Sequence, residues 1–186
     1  TMRNETMFAG FGGQGIVKAA LLLARAVGIY EDKQVAQTQS YGPEARGGAC
    51  KSEVVSSHDE IAYIKTRELD ALVVMSQPAL DQYRERVLSD RTMVIYDNTL
   101  VQTIPLDFKH TIGIGATRMA EEEFGRALFA NIIMLGALAG CTDIVALDSL
   151  SRALEGNVPV KTLETNRQAL KRGFETVKKG GYTNIR

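Results

Sequence analysis

The feature that most constrains this chain is a six-residue glycine turn. Gly10-Phe11-Gly12-Gly13-Gln14-Gly15 follows a short apolar run at residues 6–9 and precedes apolar residues at helical spacing. Ile16, Ala20, Leu23 and Val27 form one stripe, Val17, Leu21 and Ala24 lie beside it, and Lys18 and Arg25 share the opposite face. Gly28 reads as the C-cap. The unit is therefore strand, glycine turn, helix, with the spacing G-x-G-x-x-G. Glycines let the backbone approach a ligand closely, and a helix start presents free N–H groups and positive dipole to a phosphate. The same glycines also suit a tight turn that only packs, so the motif alone leaves both arrangements open.

The rest of the chain repeats the alternation. Strands are expected at 34–39, 49–55, 69–75, 92–96 and 111–114, the third of these a continuous apolar run suited to a buried parallel strand. Pro78 is expected to end that strand before a helix at 79–88, and Asp97-Asn98 to close the fourth. The last third reads as helical. Helices are expected at 116–124 and at 126–139, which is nearly all apolar and hence buried. A short helix capped by Asp148 or Ser149 follows, and a final one carries Val160, Leu163, Leu170, Phe174 and Val177. Strands alternating with helices imply an α/β fold: a single domain over residues 1–186, a mostly parallel sheet with helices on both faces, and a Rossmann-like glycine turn after the first strand.

Composition and spacing exclude several functions. Lys+Arg and Asp+Glu both total 22, so the surplus of positive charge that a non-specific nucleic-acid binder uses is missing. The longest apolar stretch, 127–141, is interrupted by Asn131 and falls short of the ~20 residues of a membrane span. Thr1 reads as an addition ahead of Met2, and the polar Arg3-Asn4-Glu5 does not read as a leader, so a cytoplasmic location is expected. Cys50 and Cys141 stand far apart with no C-x-x-C and no nearby His, an arrangement that holds neither zinc nor an iron–sulfur cluster. Free thiols in a reducing compartment are expected. His58 and His110 are isolated among polar residues and read as surface groups, and Glu121-Glu122-Glu123 as a solvated helix face. With no Ser-His-Asp, H-E-x-x-H or Cys-His pattern, the chain has a binding crevice but no catalytic residue or metal site of its own.

A dinucleotide makes a further demand, an acid ending the second strand about 20 residues past the glycines. That strand ends in Gln37-Thr38-Gln39-Ser40, with Glu31 and Asp32 before it and Glu44 beyond it, so a different phosphate ligand is favoured. Residues 40–48, broken by Pro43 and three glycines, carry Arg46 beside Gly47-Gly48, where a guanidinium can fork onto phosphate or carboxylate. Tyr41 adds a flat face and a hydroxyl, though such a segment can also be a plain surface turn. Asn131, the lone polar side chain in 127–141, must find partners when buried, either nearby backbone or a ligand.

Three segments occur in order: Gly10-Phe11-Gly12-Gly13-Gln14-Gly15-Ile16-Val17; Thr38-Gln39-Ser40-Tyr41-Gly42-Pro43-Glu44-Ala45-Arg46-Gly47-Gly48; and Asn131-Ile132-Ile133-Met134-Leu135-Gly136-Ala137-Leu138. Together they resemble the gamma subunit of the four-subunit 2-oxoacid:ferredoxin oxidoreductases, over nearly the whole chain. The Ser-Tyr-Gly-Pro-Glu-Ala-Arg form is most similar to 2-oxoglutarate or branched-chain 2-oxoacid members. The resemblance implies a reaction in which a 2-oxoacid, coenzyme A and oxidised ferredoxin give acyl-CoA, carbon dioxide and reduced ferredoxin. It places thiamine diphosphate and Mg²⁺ between alpha and beta subunits and iron–sulfur clusters largely in beta and delta. It assigns coenzyme A to this chain, with Gly10, Gly12, Gly13, Gln14, Gly15, Arg46 and Asn131 as its contacts. The alternatives are a purely structural subunit of the same complex and a stand-alone NAD(P)-linked enzyme.

Overall fold

In a computed structural model of the chain, residues 3–40 and 49–182 are described. The strands are β1 Arg3–Gly10, β2 Gln34–Ser40, β3 Cys50–Ser57, β4 Ala71–Val74, β5 Met93–Asp97 and β6 Thr111–Ile114. They form one six-stranded sheet in the order β2-β3-β1-β4-β5-β6. The ladders β1–β4, β4–β5 and β5–β6 are parallel, while β3 runs antiparallel to both β1 and β2. The sheet is thus mostly parallel, with an antiparallel pair added on one side and β2 at that edge.

Strict alternation along the central strands feeds two cores. Phe8, Ala71, Val73, Met93, Ile95, Ile112 and Ile114 point to one face. There they meet the helices α1 Ile16–Arg25, α3 Ala116–Phe124, α4 Ala130–Cys141, α5 Leu147–Leu154 and α6 Leu163–Lys179. Met7, Ala9, Leu72, Val74 and Val94 point to the other, covered by α2 Gln77–Tyr83 and by Val101, Ile104 and Phe108. Helices on both faces follow from this division.

All twelve residues of α4 are buried, as its nearly unbroken apolar sequence requires. The helix sits against α6 with backbone touching backbone. A Cβ added at Gly136 would overlap the Leu170 carbonyl oxygen, and one at Gly173 would overlap that of Ile133.

Most local expectations hold; Val160, expected on the last helix, lies ahead of it in the 3₁₀ turn Val160–Thr162 and is exposed, and three further positions differ. Gly28 does not cap α1: the helix runs on through a π-helical turn, Ala26–Tyr30, and Gly28 is small because a Cβ there would lie 2.9 Å from Val35 Cγ1. Pro78 does not end β4 but occupies the first turn of α2, where its missing N–H costs nothing, while Ser76 Oγ caps the helix from the Ala79 N–H. Neither Asp148 nor Ser149 caps α5, which begins at Leu147. The Ala146 N–H ahead of it instead donates to Glu31 Oε1 at 2.8 Å.

Candidate functional site

The chain leaving β1 passes to the α1 face, and the chain leaving its parallel neighbour β4 passes to the α2 face. Divergent connections at the carboxyl ends of adjacent parallel strands open a crevice between them, the usual ligand position in such sheets. The glycine turn, which joins β1 to α1, stands at this position.

Each residue of the turn has a distinct reason for its identity. Gln14 Oε1 accepts from the Phe11 N–H at 2.9 Å, and its Nε2 donates to the Met75 carbonyl at 2.8 Å. Its amide therefore ties the turn to the end of β4. A Cβ at Gly10 would overlap that amide and come within 2.7 Å of Ile16 Cδ1. Gly13 and Gly15 have φ of 93° and 76°, a left-handed backbone that only glycine adopts without strain. At Gly12 and Gly13 an added Cβ would meet nothing within 4 Å, so this side of the turn is open. Gly15 is the N-cap of α1, with no side-chain cap and no acid in the first turn. The first N–H groups of α1 thus lack intrahelical acceptors and present positive dipole. Lys18 does not add its charge there, because its ammonium bonds the Asn157 carbonyl.

Asn131 closes the turn from the helix side. It is 5% exposed, and its Nδ2 donates to the Gly15 carbonyl at 3.1 Å. A Cβ on Gly15 would overlap this amide. Asn131 Oδ1 is buried and has no hydrogen-bond partner among the described residues. One half of the side chain thus bonds backbone, and the other half is an orphaned acceptor beside the turn.

Gly10 pairs with Cys50 and Ser40 with Lys51, so residues 40 and 49 lie at the sheet end that holds the glycine turn. Arg46 and Tyr41 lie outside the described residues. Since β3 stands between β1 and β2, the end of β2 is two strand spacings from β1, about 10 Å. The end of β2, which holds no acid in the sequence, is therefore also not the strand beside β1 from which a ribose would be held.

The other candidates are structural. Burial pushes the Cys50 thiol up from its ordinary pKa, and that of Cys141, buried in α4, up to about 12. Neither is an activated nucleophile. His58 is exposed, and His110 Nε2 lies 3.1 Å from the Asp90 carbonyl. The glutamates at 121–123 are exposed, and Glu123 forms a two-pronged ion pair with Arg172 at 2.8 and 2.9 Å. Among the described residues no group of three or more His, Cys, Asp or Glu is placed to hold a metal ion. Asp97, which in sequence marks only a strand end, is a positioning group. Fully buried, it accepts from the Thr99 and Thr117 N–H groups, both at 3.0 Å, and so joins β5 to the start of α3.

Comparison with known proteins gives one answer. The sequence pattern of the family described as pyruvate ferredoxin/flavodoxin oxidoreductase matches residues 5–176. The chain is 44% identical over 179 residues, 95% of each chain, to the 2-oxoglutarate synthase subunit KorC of Methanocaldococcus jannaschii. The crystal structure of a keto/oxoacid ferredoxin oxidoreductase gamma subunit from Geobacter sulfurreducens matches with a TM-score of 0.88 and 35% identity, covering 96% of this chain and 98% of that one. The same fold recurs within the 2-oxoglutarate:ferredoxin oxidoreductase of Magnetococcus marinus, solved with 2-oxoglutarate, coenzyme A and succinyl-CoA. The TM-score there is 0.79 at 20% identity, over 99% of this chain and 32% of that one. The chain belongs to the pyruvate ferredoxin/flavodoxin oxidoreductase family, as a gamma-type subunit of a 2-oxoacid:ferredoxin oxidoreductase.

Proposed function

We propose that residues 1–186 form one gamma-type domain that supplies the coenzyme A site of its complex. The complex would convert a 2-oxoacid, 2-oxoglutarate foremost, to acyl-CoA and carbon dioxide with reduction of ferredoxin. The substrate follows the 2-oxoglutarate synthase subunit to which the chain is 44% identical. The observation that carries the ligand assignment is the buried, unpartnered Asn131 Oδ1 beside the glycine turn. An acceptor buried without a partner costs about 1–3 kcal/mol, so a bound donor is strongly favoured there. The pantetheine arm of coenzyme A carries amide N–H donors, whereas an ionised diphosphate has only acceptors. On this reading the arm passes Asn131 and the diphosphate rests on the open side of Gly12 and Gly13 at the start of α1, where helix N–H groups face it. Arg46 neutralises a phosphate.

Thiamine diphosphate with Mg²⁺ and the iron–sulfur clusters belong, on this reading, to the alpha, beta and delta partners. Thiamine diphosphate supplies the decarboxylation chemistry, and this chain binds and orients the acyl acceptor, with no catalytic residue of its own and no activity alone. The test uses the assembled complex. Asn131→Ala should raise the apparent KM for coenzyme A about fivefold, and Arg46→Ala by about tenfold or more, as expected for a neutral and a charge-assisted hydrogen bond. Coenzyme A-independent decarboxylation should change far less. An unchanged coenzyme A dependence in both variants would sink the assignment.

A further inference from the structure

We infer that Gln14 is a positioning residue: it holds the glycine turn in its ligand-binding shape and does not touch the ligand. The inference rests on the coenzyme A reading only for what the turn binds. Gln14 lies in the most ligand-like part of the motif, yet its side chain is turned inward. One end accepts from the Phe11 N–H at 2.9 Å and the other donates to the Met75 carbonyl at 2.8 Å. The Gln14 N–H also donates to the Phe11 carbonyl at 3.3 Å, so Phe11 and Gln14 are joined twice. Both ends of the amide are thus held by main chain at the ends of two neighbouring strands, so the side chain is fixed in place as a strut between them.

The turn needs such a brace. Four of its six residues are glycine, the residue with the most backbone freedom to lose on ordering. A turn ordered in advance spares the ligand that entropy on binding. The brace also explains the buried Gly10. Its missing side chain leaves the socket that the Gln14 amide fills, since a Cβ there would overlap Oε1. With Gln14 inward, Gly12 and Gly13 are left on the open side, where an added Cβ meets nothing within 4 Å. The two residues Gly10 and Gln14 therefore act as one unit, and at the turn itself the ligand meets backbone.

The experiment is hydrogen–deuterium exchange on the assembled complex, with and without coenzyme A, combined with steady-state kinetics. Gln14→Ala should speed exchange at residues 10–16 about tenfold before any coenzyme A is added, as loss of one or two hydrogen bonds predicts. It should raise the apparent KM for coenzyme A by a similar factor, with kcat at saturating coenzyme A changed much less. Gly10→Ala should reproduce the exchange result, and the double variant should be no worse than either single one. Gln14→Glu keeps the acceptor for Phe11, loses the donor to Met75, and should exchange at an intermediate rate. It serves if the alanine variant fails to assemble. A raised KM with unaltered ligand-free exchange would show a direct contact and overturn the inference. Faster ligand-free exchange with an unchanged KM supports the brace and removes coenzyme A as the ligand of the turn.

Discussion

Gly136→Ala tests whether α4 and α6 are locked by direct backbone contact. The added Cβ would overlap the Leu170 carbonyl oxygen, lie 2.8 Å from the Leu170 carbonyl carbon and sit 3.1 Å from the Phe174 nitrogen. Carbon atoms settle at about 3.5–4.0 Å, so α6 must withdraw by about 1 Å. The obstructing atoms are main chain within a 17-residue helix and cannot rotate away. Overpacking of this kind costs about 1–3 kcal/mol and sometimes more. Alanine returns up to about 1 kcal/mol of helix propensity over glycine. With rigid main chain in the way the cost falls at the upper end of that range, so the expected net loss is about 2 kcal/mol, or a Tm lower by roughly 4–8 °C for a chain of this size. Calorimetry against the unaltered protein measures it, with Gly12→Ala as the control, because a Cβ there meets nothing within 4 Å. Gly136→Ala with Gly173→Ala should cost less than the sum, since the gap opened by one admits the other. An unchanged or raised Tm for Gly136→Ala would refute the contact. Asn131 sits in the first turn of the same helix, so the shift should also weaken its hold on Gly15.

Two further outcomes follow from the charged and thiol groups. Burial works to raise the Glu31 carboxyl, but the Ala146 N–H, Lys33 and Ser149 together hold it below its ordinary 4.5. The folded state thus favours the ionised form, and its stabilisation is complete above about pH 4.5 and lost as pH falls through the folded pKa. Glu31→Gln should cost about 1–3 kcal/mol at neutral pH by urea unfolding, with the gap closing in acid; equal gaps at both pH values would contradict this. Cys141, at about 12, should stay silent to a thiol reagent at pH 8 until the protein unfolds. Cys50, raised by burial but partly exposed, should react more slowly than free cysteine, and two fast thiols in the native protein would count against both environments.

The elements that local pattern governs were legible in the sequence. The amphipathic stripe of α1 has a period that a helix satisfies, and the run at Ala71–Val74 reads as a strand by its short length and its valines. Strand order was not, because nothing in Ser52-Glu53-Val54-Val55 says that β3 lies antiparallel between β1 and β2. Gly28 and Pro78 were misread for a related reason. Each has a strong local preference, and each was overruled by Val35 packing or by the Ser76 cap. At the site, Asn131 stood out as one amide in an apolar run. Its bond to Gly15, and that of Gln14 to Met75, join residues 116 and 61 positions apart, beyond any spacing argument.

β2 leaves one side of the sheet with no neighbouring strand among the described residues. Its sequence, Gln34-Val35-Ala36-Gln37-Thr38-Gln39-Ser40, holds neither a charge nor a proline, the devices that commonly stop an edge from recruiting another chain. Val35 and, on the preceding π turn, Ile29 are exposed and apolar. With a net charge of zero there is also little long-range repulsion between molecules. This edge is therefore a ready template for pairing between copies of the subunit handled alone, and a lysine placed at Gln39, whose side chain is exposed, is expected to weaken that pairing.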